Sequence, residues 1–277
     1  MAKPIMIQGT SSGVGKTILT IALCRIFMQD GYKVAPFKSQ NMTTNTALTR
    51  SGEEIAVSQI LQARAAGTDP GALMNPIVLK YSPDRQGTLV ILNGKPHGTI
   101  NAQNYKEIRQ SLIPEVKKAY TALASQYDII VIEGAGSPVE LNLNKDDMVN
   151  MGLARYVNAP VLLAADIDRG GIFASLYGTV QLFDDSERRY LKAVIVNRFK
   201  GNALHFTDGV TILERITGLP VVGVIPQIPF NLPEEDSMFN NDNSFDDDYD
   251  SQFDLIADRV RESLDMDMVY QILNNGI

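Results

Sequence analysis

The stretch Gly9-Thr10-Ser11-Ser12-Gly13-Val14-Gly15-Lys16-Thr17 restricts what this chain can fold into more than any other. The apolar run Pro4 to Gln8 precedes it. Lys16 to Asp30 follows, with Ile18, Ile21, Ala22, Cys24, Ile26 and Phe27 at helical spacing. Strand, glycine-rich turn and helix in that order aim successive backbone N–H groups and a helix N-terminus at one point, which is what holding nucleotide phosphates requires. On this reading Thr10, Ser12, Gly13, Val14 and Gly15 line the phosphates, Lys16 reaches the β and γ phosphates, and the Thr17 hydroxyl ligates magnesium. Five residues rather than four separate Gly9 from Gly15, with Thr10 at the usual position of the first glycine.

The rest of the chain repeats the alternation. Lys33 to Phe37, Val78 to Tyr81 and Thr88 to Leu92 read as strands. Asp128 to Glu133, Pro160 to Asp166, Lys192 to Asn197 and Pro220 to Val224 are near-continuous β-branched runs, of the kind covered on both faces. Glu54 to Ala66, Tyr105 to Ser125, Met148 to Val157, Gly171 to Phe183 and Gly209 to Thr217 read as the helices between them. The expected fold is therefore α/β: a doubly wound, mostly parallel sheet with helices on both faces, P-loop NTPase-like, whose ligands sit at the carboxyl ends of the strands.

Those ends carry the remaining candidates. Glu133, after four apolar residues and before Gly134-Ala135-Gly136, is the expected second magnesium contact. Lys38 ends the second strand, where its ammonium can neutralise a γ-phosphate or a substrate carboxylate. Asp166-Ile167-Asp168-Arg169-Gly170-Gly171 closes another strand, with a glycine pair opening a helix. Asn197 ends a further strand, with an amide able to donate and accept as an adenine edge requires. His97 and His205, the only histidines, have no metal-ligand companion at useful spacing.

Composition excludes other classes. A net charge of −7 argues against nonspecific nucleic-acid or anionic-membrane binding, so an anionic ligand needs a local basic pocket. No apolar stretch approaches the roughly 20 residues that span a bilayer, and no charged leader opens the chain. The single cysteine, Cys24, falls inside a helical pattern, which points to a reducing, cytoplasmic setting. From Pro233 the character changes. Glu234, Glu235 and Asp236 lead into Asn240 to Asp250, a solvated linker that lacks the sixth-position glycine and terminal glutamate of a calcium loop. Phe253 to Leu273 carries the apolar stripe of one amphipathic helix or two. The expected division is 1–237 as the ATP-using domain, 238–252 as acidic linker and 253–277 as a helical segment docking on the domain or on a partner.

Taken together, these residues resemble the dethiobiotin synthetase-like superfamily of P-loop ligases and, within it, the N-terminal domain of the cobyric acid synthase family. The matching stretches are Gln8-Gly9-Thr10, Ala35 to Met42, Met74-Asn75-Pro76, Glu133 to Leu143, Val149-Asn150-Met151-Gly152, Asp166 to Gly171, Leu176-Tyr177-Gly178-Thr179 and Pro233 to Ser237. Two departures stand out: Ser12-Gly13-Val14 reads more like dethiobiotin synthetase, and Tyr81 stands where a proline is expected after Lys80.

The resemblance implies ATP-dependent amidation of peripheral carboxylates on adenosylcobyrinic acid a,c-diamide through an acyl phosphate, with ATP and magnesium as cofactors. By position it assigns catalytic roles to Lys16, Lys38 and Asp168 and magnesium contacts to Thr17, Glu133 and Glu54, with Glu53 beside Glu54 leaving that register open. It places adenine at Asn197 and substrate at Ser39, Gln40, Asn41, Ser137, Glu140 and Arg169. The family continues into a glutaminase domain with a catalytic cysteine, a role that Cys24 does not fit, so a glutaminase domain or separate chain is the expected ammonia source. A homodimer is left open.

Four alternatives accompany this reading. Dethiobiotin synthesis is opposed by Ser137-Pro138-Val139-Glu140. Cobyrinic acid a,c-diamide synthase and the cell-wall amidating ligases share the chemistry. An ATPase switch of the MinD and ParA type carries an extra lysine where this chain has Ser11.

Overall fold

The computed structural model describes residues 2–81, 87–101, 103–141, 147–232 and 249–276. In chain order the elements begin with β1 (Lys3–Gly9), α1 (Lys16–Gln29), β2 (Val34–Phe37), β3 (Gln40–Met42), β4 (Thr46–Leu48), β5 (Glu54–Ala56) and α2 (Val57–Ala65). Next come β6 (Ile77–Tyr81), β7 (Thr88–Leu92), β8 (Lys95–Ile100), α3 (Tyr105–Ala124), β9 (Ile129–Glu133), α4 (Met151–Val157) and β10 (Val161–Asp166). The chain continues through α5 (Ile172–Leu182), α6 (Asp185–Arg188), β11 (Leu191–Phe199), α7 (Thr207–Thr217), β12 (Val221–Pro226), α8 (Asp250–Ser263) and α9 (Met266–Asn275).

Six strands form one sheet in the order β12-β11-β10-β1-β9-β2, and every pairing in it is parallel. Strand periodicity divides its side chains cleanly between two layers. Ile5, Ile7, Ile129, Val131, Leu162, Ala164, Ala193 and Ile195 pack with α1, α2, α8 and α9. Met6, Ile130, Ile132, Val161, Leu163, Ala165, Val194 and Val196 pack on the other face with α3, α4, α5 and α7. This is the doubly wound sheet expected from the continuous apolar runs.

A second sheet, in the order β3-β6-β7-β8, joins one parallel pair to an antiparallel meander. Its Ile77, Leu79, Val90 and Ile100 belong to the same core layer as α3, so it extends that face. The hairpin β4–β5 stands beside it.

Several boundaries differ from expectation. Glu54 opens a strand rather than a helix, because the turn at Gly52 folds it back against Leu48, and the helix starts only at Val57. The helix expected from Met148 begins at Met151, since the Asp147 carboxylate holds the N–H groups of Val149, Asn150 and Gly152 in a tight loop first.

At the far end α8 starts at Asp250, so residues 250–252 are helical rather than linker. The acidic run Glu234 to Asp236, most of the stretch from Asn240 to Asp250, and Asn142-Leu143 lie outside the described residues. The stripe divides into two helices at Leu264, after which the Asp265 carboxylate caps α9 by accepting from the Met268 N–H at 2.9 Å. Both helices dock on the domain itself. Phe253, Ile256, Ala257 and Val260 are fully buried beside α1, and Arg25 of α1 meets Asp254 at 2.7 Å and Asp250 at 3.0 Å. At their junction Leu264 bridges to Gly223 of β12, where a side chain would collide with Leu264.

Candidate functional site

The turn after β1 is shaped by glycine. Gly13 and Gly15 hold φ of 73° and 97°, a left-handed conformation that costs other residues strain. A Cβ on Gly15 would also run into the Asn197 amide, which donates from Nδ2 to the Val14 carbonyl at 2.8 Å. Lys16, at the start of α1, turns back over the loop. Its Nζ donates to the carbonyl oxygens of Ser11 at 2.9 Å and Gly136 at 3.0 Å, tying the turn after β1 to the turn after β9.

The neighbouring strand β9 delivers Glu133, only 2% exposed, to the same point. Its Oε1 accepts from Thr17 Oγ1 and from Lys38 Nζ, each at 3.0 Å. Lys38, at the carboxyl end of β2, is 5% exposed, so the two side chains form a buried ion pair. Its position follows from the register Phe37↔Ile132, which puts the ends of β2 and β9 side by side. Glu133 Oε2 accepts from the Gln62 amide of α2. The turn Gly134-Ala135-Gly136 is fastened by Asn150, whose amide accepts from the Ala135 N–H at 3.1 Å and donates to the Ala135 carbonyl at 2.7 Å.

These groups open on a cavity of about 780 Å³. One end is polar, lined by Lys16, Thr17, Lys38, Glu133, Arg169 and Arg198. The other is apolar, walled by Ile77, Leu79, Ile100, Leu112, Ile113 and Val116 from the second sheet and α3. Lys16, Lys38, Arg169 and Arg198 bring positive charge to its walls, beside the carboxylates of Glu133, Glu140 and Asp147. Arg198 and Arg169 both reach Asp166 Oδ2, at 3.0 Å and 3.4 Å, so a buried carboxylate steadies two guanidinium groups at the mouth.

The expected site residues fall into two sets. Ser12, Gly13, Gly15, Lys16, Thr17, Lys38, Gln40, Asn41, Glu133, Ser137, Glu140 and Arg169 line this cavity. Thr10, Val14, Ser39, Glu54, Asp168 and Asn197 are not among its lining residues. Ser39 donates to the Met148 carbonyl at 2.6 Å, and Asp168 meets Lys200 at 2.6 Å. Asn197 braces the phosphate loop from below. Glu54 Oε1 accepts from Lys80 at 2.8 Å and Thr46 at 2.6 Å on the hairpin side. Burial works against ionisation of Glu54, but those two bonds outweigh it and hold its carboxyl below the usual glutamate value. Glu53 is likewise engaged, accepting from the Ala72 N–H.

Gln59, Gln62, Asn150 and Arg198 received no role from sequence reasoning. Two glutamines three apart, on one face of α2, were the one available signal for the first pair. For Arg198 nothing marked the residue beyond its place after Asn197.

Thr17 Oγ1 and Glu133 Oε1 are hard oxygen donors at the polar end of the cavity, the chemistry magnesium prefers. Among the described residues no group of three or more His, Cys, Asp or Glu could hold a metal. Cys24 is buried in α1, and that burial, with the charge of Glu133 adding to it, pushes its thiol well above the ordinary value, leaving it inert. No helix among the described residues is long and apolar enough to cross a membrane.

The model of the CobQ/CobB/MinD/ParA nucleotide binding domain family matches residues 5–236. The cobyric acid synthase of Ruminiclostridium cellulolyticum is 53% identical over 238 residues, 86% of this chain and 46% of that protein. The cobyric acid synthase of Listeria monocytogenes is 46% identical over 255 residues, 92% of this chain and 50% of that protein. The chain thus spans about half the length of the curated relatives it matches. A solved structure of the MinD cell division protein of Aquifex aeolicus aligns with a TM-score of 0.44 at 17% identity, covering 94% of this chain and 98% of that one.

Proposed function

The chain belongs to the CobQ/CobB/MinD/ParA nucleotide-binding family, and from that premise we propose that it activates peripheral carboxylates of adenosylcobyrinic acid a,c-diamide with ATP for amidation to adenosylcobyric acid. The observation that carries this reading is the convergence of Thr17 and Lys38 on one oxygen of buried Glu133, beside the phosphate loop and at the polar end of a large cavity.

A carboxylate does not accept ammonia directly, because hydroxide is a poor leaving group. Its oxygen instead attacks the γ-phosphorus of ATP, the bond from that phosphorus to the β–γ bridging oxygen breaks, and ADP departs with the electron pair. Ammonia then adds to the carbonyl carbon of the acyl phosphate, inorganic phosphate leaves, and the nitrogen loses a proton to solvent. No protein nucleophile is needed; the work is positioning and charge stabilisation.

Lys16 and the loop amides oppose the charge that grows on the bridging oxygen. Lys38 sits where attacking carboxylate and γ-phosphate both carry negative charge. Thr17 and Glu133 would hold magnesium, which supplies charge neutralisation to the β and γ phosphates when bound. Asn197 acts through its hold on Val14, whereas Glu54 and Asp168 lie outside the cavity, ion-paired with Lys80 and Lys200. Arg169 and Arg198 grip other carboxylates at the rim, while the apolar wall takes the body of the corrin ring. Ammonia comes from a glutaminase domain or chain, and a reducing, cytoplasmic setting accords with the free thiol of Cys24.

Incubation with ATP, magnesium, ammonium and adenosylcobyrinic acid a,c-diamide, followed by mass spectrometry of the corrinoids, tests the reading. Stepwise amidated products formed together with ADP are expected. An unchanged corrinoid, with ammonium and ATP in excess and the protein folded, rejects it.

A further inference from the structure

The two oxygens of Glu133 do different things. Oε1 faces the phosphate loop, where it accepts from Thr17 and Lys38. Oε2 faces α2 and accepts from Gln62 Nε2. The Gln62 amide presents its nitrogen to that oxygen, which leaves its own Oε1 pointing away. That oxygen accepts from Gln59 Nε2 at 3.1 Å. Gln59 lies three residues earlier on the same face of α2, and both glutamines are fully buried.

Such an arrangement is costly as packing alone. Gln59 Oε1 is buried with no hydrogen-bond partner among the described residues, and two leucines would fill the helix face without that penalty. What the amides add is direction: Gln59 prevents Gln62 from flipping, and Gln62 prevents the carboxylate from rotating.

We propose that Gln62, oriented by Gln59, is a positioning residue that holds Glu133 Oε2 on α2 and so keeps Oε1 aimed at the divalent ion of the bound nucleotide. The inference rests on the reading of Glu133 as a magnesium contact. It assigns the glutamines of α2 an outer-shell role of the kind whose loss weakens metal affinity about 10- to 100-fold.

The test uses Mn²⁺ as probe, with paramagnetic resonance reporting ion bound to the full chain in the presence of ADP, and ADP affinity measured separately in EDTA. Gln62→Met keeps the length and removes the donor. It is expected to weaken Mn²⁺ binding about 10- to 100-fold while ADP affinity in EDTA stays at the wild-type value. Gln59→Met leaves the Glu133 bond in place and is expected to shift Mn²⁺ affinity in the same direction by less; it carries the test if Gln62→Met does not fold. Wild-type Mn²⁺ affinity in both variants overturns the proposal, as does a parallel loss of ADP affinity in EDTA, the mark of a merely structural role. A wild-type protein that binds ADP but no Mn²⁺ rejects the underlying assignment of Glu133 instead, a result distinct from the other two.

Discussion

The two sheets of this molecule contribute to one cavity in opposite ways. The six-stranded sheet is parallel and buried on both faces, and its β1, β2, β9 and β11 ends supply the loop, Lys38, Glu133 and the neighbourhood of Arg198. The four-stranded sheet is mostly antiparallel, with an exposed outer strand, and it supplies apolar wall from Ile77, Leu79 and Ile100. A parallel sheet gathers its strand ends at one edge, so charged groups meet there. A meander distributes its ends and offers a face instead. Chemistry and shape are thus divided between two sheets.

The sharpest way to break this division is Lys16→Ala. It is expected to lower amidation by on the order of 10³-fold, by removing charge stabilisation from the phosphate end. Circular dichroism and the denaturation midpoint should stay near wild type. Ordinary turnover would take Lys16, and with it the large sheet's claim to the chemistry, out of the account.

Phe253→Ala asks whether the large sheet's frame includes the C-terminal helices. Phe253 is fully buried among α1 and α8 side chains, so truncation is expected to cost about 3–5 kcal/mol. Urea titration measures the loss. A shift below about 1 kcal/mol would show that α8 is an ornament on the frame.

The smallest effect is expected on the hairpin side of the small sheet. Glu54 has its carboxyl held below the usual range by Lys80 and Thr46 against the opposing effect of burial. Its stabilising contribution is therefore present at neutral pH and is lost as pH falls through the folded-state value. Lys80→Ala should cost less than about 1 kcal/mol at pH 7, because the pair is partly exposed. Stability measured against pH should also fall less steeply on the acid side. An acid limb identical to wild type would remove Lys80 as the cause.

The same division explains what could be read from residues alone. Strands such as Ile129 to Glu133 announce themselves because both faces are buried and every position is apolar until the functional one. Gln40-Asn41-Met42 has three residues and no alternation, and Lys95 to Ile100 contains Pro96 and Gly98 on an edge, so neither gives a periodic signal. At the site, Lys16, Thr17, Lys38 and Glu133 were legible because each follows its own strand or turn. Gln62 and Asn150 were not, since the groups they hold arrive from other elements. The element of Glu54 was misread because a glutamate before an apolar helical run looks like a first-turn acid. Only the turn at Gly52 makes it a strand residue.

The place of β9 between β1 and β2 bears on how the molecule is made. Strands 1 and 2 are consecutive in the chain, yet each pairs with β9 and not with the other. A nascent chain leaving the ribosome therefore carries both for nearly a hundred residues before the piece that joins them is synthesised. Loop closure over that span is slow and leaves unpaired edges exposed meanwhile. The joining piece ends in Glu133, so pairing β9 with β1 and β2 is also what brings that carboxylate to Thr17 and Lys38.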